Sequence, residues 1–187
     1  MAVRNRMPGT RSRVMSDALG SPPLGTTTAV HAAVTDNGSQ QVVTTAITSP
    51  VVPRNVTATS GGTATDIKAV QVVVAGTNIY DEPITETLPV FTVDSATTVV
   101  GSKAFKTVTS ITIPAHDGTG ATTAVGLGAK LALPVKLDRD TIVNAYLAGV
   151  REATRPTVTF SSTAVESNTV TLSSALAGTA VLIDYYT

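Results

Sequence analysis

The chain has 187 residues, 42% of them hydrophobic and 14% charged, with no net charge at neutral pH and no cysteine. That length and apolar share allow one medium domain, or one domain plus an extended arm, and the lack of cysteine excludes disulfides and thiolate metal sites. About one residue in six is Thr. Thr and Val are stiff at χ1 and suit a pleated surface, so composition alone predicts strands. The longest apolar run, residues 69–75 with one Gln, is strand-sized and far short of a membrane span. The basic N-terminus has no apolar stretch behind it, so no secretory signal is expected and the chain is expected to fold in the cytoplasm where it is made.

In chain order, residues 1–50 read as an extended N-terminal arm. Arg4, Arg6, Arg11 and Arg13 face a single acid, Asp17, within the first twenty residues. Such a basic segment on a mildly acidic remainder suits docking on an acidic surface, and these four arginines are the candidate partner-binding residues. Turn formers break up the segment at Pro8-Gly9 and again from Gly20 to Gly25, where Pro22-Pro23 favours polyproline II backbone. Residues 14–19 fit one short helical turn with Ser16 as its cap, and residues 41–47 are strand-like. The arm is expected to order on a partner rather than bury much surface itself.

Residues 51–187 read as a β-rich body, with a possible subdivision near Pro134 into 51–134 and 135–187. Strands are predicted over residues 53–59, 66–75, 82–90, 103–113, 122–133, 141–147, 157–160 and 181–186, with shorter pieces at 91–93 and 97–100. Val70, Val72 and Val74 should share one face; Ile84 and Leu88 should share another, opposite Thr85 and Thr87. Val108 breaks the alternation of Phe105, Ile111 and Ile113, which predicts a bulge or burial on both faces. Asp117-Gly118-Thr119-Gly120 has the chemistry of a hairpin turn. Gly126 and Gly128 should bend their strand. Short strands at regular spacing, with no long amphipathic helix, predict a β-sandwich or barrel-like body.

No constellation for catalysis stands out, and the chain is expected not to be an enzyme. His31 and His116 are far apart in sequence, and Asp117 beside His116 is expected to shape its own turn. Gly126-Leu127-Gly128-Ala129-Lys130 lacks the spacing of a phosphate-binding loop. The acid pairs Asp81–Glu82 and Asp138–Asp140 sit in loop-like contexts where carboxylates are usually solvated. There is no Trp to make a glycan platform, and alternation requires one of Tyr185 and Tyr186 to face outward. The N-terminal arginines have no aromatic neighbours for base stacking, so nucleic acid is not an expected partner. No cofactor, metal or membrane partner is expected.

Two stretches carry a resemblance. The first runs from Pro53-Arg54-Asn55-Val56-Thr57-Ala58-Thr59 through Asp66-Ile67 and Glu86-Thr87 to Gly101-Ser102-Lys103-Ala104-Phe105-Lys106-Thr107-Val108-Thr109-Ser110-Ile111. It resembles a β-rich module of tailed-bacteriophage virion proteins, including capsid decoration and head-fibre-type proteins. The second runs from Val143 through Leu147, Gly149 and Val150 to Val170-Thr171-Leu172, Ala175 and Gly178. It is similar to a hairpin-rich module at the ends of phage fibre and decoration proteins. Together they cover residues 51–187, and the arm lies outside them. The resemblance implies a virion location after assembly in the host cytoplasm, and a capsid decoration or cement role in contact with the major capsid protein or other virion proteins. It also implies a homo-oligomer, with a trimer favoured. The alternative is a tail or fibre component that acts in host-surface recognition. No catalytic residue is implied.

Overall fold

The computed structural model describes residues 13–186. Among these the chain is all-β, with only two single-turn 3₁₀ segments, Ala64–Asp66 and Val165–Ser167. The strands are β1 (Val14–Gly20), β2 (His31–Thr35), β3 (Gln41–Val43), β4 (Arg54–Gly62), β5 (Val73–Thr77), β6 (Pro83–Thr87) and β7 (Thr98–Phe105). There follow β8 (Thr107–Ile113), β9 (Ala121–Ala132), β10 (Ile142–Leu147), β11 (Val150–Arg151), β12 (Thr157–Thr159), β13 (Thr169–Thr171) and β14 (Val181–Tyr186). They form three antiparallel sheets, which curl into a half-barrel. The expected sandwich or barrel-like all-β class is therefore what the chain adopts.

The central sheet runs β12-β13-β9-β4-β7. The twelve-residue β9 organises it: β4 pairs along one edge, while β2 and β13 share the other, β2 near Thr122–Val125 and β13 near Leu131–Ala132. A second sheet runs β3-β8-β5-β6 and a terminal sheet runs β1-β14-β10-β11. Two apolar clusters lie between these layers. One gathers Val56, Val72, Val74, Leu88, Phe91, Phe105, Val108, Ile111 and Val125. The other gathers Val52, Leu131, Leu133, Ile142, Val170, Val181, Ile183 and Tyr185. Burying a side chain of this size contributes roughly 1.5–3 kcal/mol, so these clusters supply most of the folding drive.

Several local readings are corrected by tertiary pairing. Residues 14–19 are not a helical turn. They belong to β1, which pairs antiparallel with β14 from Val14↔Tyr186 to Ala18↔Leu182. The rest of residues 13–50 likewise packs on the body rather than standing off it: β2 joins β9 and β3 joins β8. Just ahead of β2, Thr26 O accepts from Leu127 N at 3.1 Å and Val30 N donates to Val125 O at 3.0 Å. This close crossing explains the glycine-rich stretch of β9. A Cβ on Gly126 would sit 2.1 Å from Thr26 O, and one on Gly25 would sit 2.0 Å from Leu127 O. Only glycine lets the two backbones approach in this way.

The 117–120 turn is not a hairpin, because it passes the chain from β8 in one sheet to β9 in another. The broken alternation around Val108 is a bulge: Ala75 faces Ser110 while Gly76 faces Val108, leaving Thr109 extra. Val108, Ile111 and Ile113 thereby all reach the first core. The expected strand at 66–75 is shorter, with regular pairing only from Val73. Residues 103–113 split at Lys106, whose N–H donates to Thr77 O as the chain passes from β7 to β8.

Candidate interaction surface

Most of the groups that sequence singled out for chemistry are occupied by a structural task. His116 is buried and stacks on Phe91, with ring centroids 6.1 Å apart. Its Nδ1 accepts from Lys68 N at 3.2 Å, which fixes Nε2 as the protonated nitrogen, 3.0 Å from Thr123 Oγ1. Desolvation pushes its pKa below the ordinary 6.5, against the opposing pull of Asp36 and Asp117. Asp117 does not cap its own turn; it pairs with Lys68 Nζ at 2.9 Å on the surface. The buried Asp36 accepts from His116 N and Gly38 N. His31 lies apart on β2.

The acid pairs do not converge on a cleft. Asp81 pairs with Lys106 at 2.7 Å, and Glu82 accepts from Asn78 Nδ2. Asp140 accepts from Ile142 N and pairs with Arg155 at 2.8 Å. Among the described residues no group of three His, Asp or Glu side chains is placed to hold a metal ion.

Sequence reasoning missed three buried polar side chains. Glu86 points inward between Ile84 and Leu88, and its carboxylate accepts from Ser102 N, Ser102 Oγ and Lys103 N where β7 bulges. Asn168 Oδ1 accepts from Leu137 N and Ser161 N while Nδ2 donates to Ser161 O and Ala164 O, tying two loops together. Arg54 is only 1% exposed. In sequence, an Arg at a strand start and a Glu in a Thr-rich strand both read as solvated, and no local signal distinguishes them.

Of the four candidate arginines, Arg4, Arg6 and Arg11 lie outside the described residues. Arg13 is exposed immediately before β1, so it leads into the terminal sheet. That sheet buries Ile142, Ala145, Val181, Ile183 and Tyr185 on its inner face. Burial, then the hydroxyl's bond to Asp17, pushes the Tyr185 pKa up. Register places Val14 beside Tyr186, and Ala18 beside Leu182 beside Tyr146, on the outer face. Val14 is 55% exposed, Leu182 37% and Tyr186 45%. Ser16 donates to Asp184 in the middle of this face. Among the described residues the outer edge of β1 pairs with no strand. An open strand edge beside an apolar sheet face is suited to contact with another protein surface.

No known protein family, no curated protein and no solved structure matches this chain.

Proposed function

We propose that the chain is a structural protein of a tailed-bacteriophage virion, acting as a capsid decoration protein that forms a homo-oligomer, with a trimer favoured, and binds the major capsid protein. The observation that carries this reading is the outer face of the terminal sheet, where Val14, Leu182 and Tyr186 stand exposed beside an open strand edge. The basic residues Arg4, Arg6, Arg11 and Arg13 immediately precede that edge. Residues 14–187 carry nine basic and thirteen acidic residues, so the basic segment contrasts in sign with its own body. A decoration protein adds contact area to a lattice without chemistry, and repeated weak contacts around a symmetric assembly give avidity. The resemblance of residues 51–187 to phage virion modules points the same way.

The test is co-sedimentation with phage heads that lack the chain. Because β1 is part of the fold, the informative truncation removes residues 1–12 and keeps Val14–Gly20. Full-length protein should bind heads. The truncation and a Leu182→Thr/Tyr186→Thr variant should each bind less while staying folded. Full binding by both would remove the terminal sheet from the interface. Binding to host cells, with none to heads, would favour the tail or fibre role.

A further inference from the structure

Arg54 carries an inference independent of that role. Its guanidinium is buried at the start of β4, yet no carboxylate among the described residues lies within ion-pair distance. Nε donates to Gly128 O at 2.6 Å, one Nη2 proton goes to the same carbonyl, and Nη1 donates to Pro23 O at 2.7 Å. A guanidinium has five N–H bonds. One on each terminal nitrogen is therefore left with no acceptor among the described residues. Burial pushes the pKa down, with no neighbouring anion to offset it. A buried cation without a counter-charge is costly, and structures usually supply one.

Arg54 also lines a cleft of about 350 Å³ between the 24–25 segment and residues 172–176. Its walls are mostly apolar, from Leu24, Leu127, Ala129, Leu172 and Leu176, with Ser173 and Ser174 as polar points. The acid that reaches this wall, Glu152, is held by Ser173 Oγ at 2.6 Å and Ser174 N at 2.8 Å instead of meeting the arginine. We infer that this cleft is a binding site for a single carboxylate on a short apolar stem, with Arg54 as its counter-charge. Arginine's planar fork suits a carboxylate, and an apolar cleft with one converging charge is the usual form of a small-ligand site.

Two sources present that chemistry: a free short-chain carboxylate, or an acidic side chain of a partner protein. The test titrates full-length ¹⁵N-labelled protein with butyrate, and separately with the capped peptide Ala-Glu-Ala, at fixed ionic strength against chloride. Saturable shifts are expected at the Arg54 Nε–H, Gly128 and Leu176 signals. Saturation by butyrate identifies a free-ligand site; saturation by the peptide alone identifies a partner's side chain. Ala175 is exposed and lines the cleft, so Ala175→Trp should narrow its opening while leaving the Arg54 side chain unsubstituted, and should weaken binding at least about tenfold. No saturable response to either probe into the millimolar range, or undiminished binding by Ala175→Trp, would overturn the inference.

Discussion

Two four-stranded sheets of this chain each bury one face and differ in what they turn to solvent. In β3-β8-β5-β6 the inner face delivers Val74, Val108 and Ile111 to the first core. Its outer face is rich in threonine: Thr77 lies beside Thr107, their hydroxyls 2.7 Å apart, and Thr85, Thr87 and Thr112 share that face with Val73, Ala75 and, on the edge strand, the exposed Val42. In β1-β14-β10-β11 the inner face is equally apolar, but the outer face shows Val14, Leu182, Tyr146 and Tyr186. Threonine satisfies both strand geometry and water, so most of the first sheet's outer face suits solvent, with Val42 as its exposed apolar exception. The second exposes aromatic and aliphatic side chains beside an open strand edge, the patch that the proposed capsid contact would cover.

The largest expected effects are the same on both sheets. Ile111 and Ile183 are both fully buried. Truncating either to Ala should cost about 2–5 kcal/mol, read from urea unfolding. A small loss at Ile183 alone would mean that the terminal sheet is not integral to the fold.

The first core carries an acid-sensitive element that the second lacks. His116 is neutral in the fold and its pKa is depressed from 6.5, so protons favour the unfolded chain. Stability should therefore be intact above pH 6.5 and fall as pH drops from there through the folded-state value. His116→Gln should flatten that slope in a pH series of unfolding midpoints, although it should also lower stability at neutral pH by losing the Phe91 stack.

On the outer faces the expected changes are smaller. Leu182→Thr should shift the stability of the isolated chain by no more than about 0.5 kcal/mol while weakening association in sedimentation velocity. A loss of several kcal/mol would mean that Leu182 is core, contrary to its exposure. A change of similar size and opposite sign belongs to the β10–β11 turn. Ala148 and Gly149 both have positive φ, 53° and 78°, in a two-residue loop closed by Leu147↔Val150. Such a turn favours Asn-Gly, so Ala148→Asn should raise stability by about 0.5 kcal/mol in thermal unfolding.

What could be read in advance follows the range of the interactions. β14 was legible because Val181, Ile183 and Tyr185 alternate strictly with Leu182, Asp184 and Tyr186, and the expected outward tyrosine is Tyr186. β9 and β10 were legible within a residue. β1 was not, because residues 14–19 have no decisive local preference and become a strand only by pairing with residues some 168 positions away. The extra residue at Thr109 was foreseeable from a broken period. The burial of Glu86 was not, because its acceptors' partners come from a bulge in a different strand. The basic residues before β1 were visible in sequence, but the apolar face beside them required the register of three strands.

Under the proposed function, the outer face of the terminal sheet is covered in the assembled particle while the threonine-rich face is not. The chain has no cysteine, so Leu182→Cys and Thr85→Cys each install a unique thiol, one on each face. Maleimide labelling of each variant, free and bound to phage heads, compares the faces directly. Both thiols should react in the free protein, and on heads Leu182→Cys should become protected while Thr85→Cys remains reactive. Equal reactivity of Leu182→Cys in both states, or protection of Thr85→Cys instead, would contradict the account.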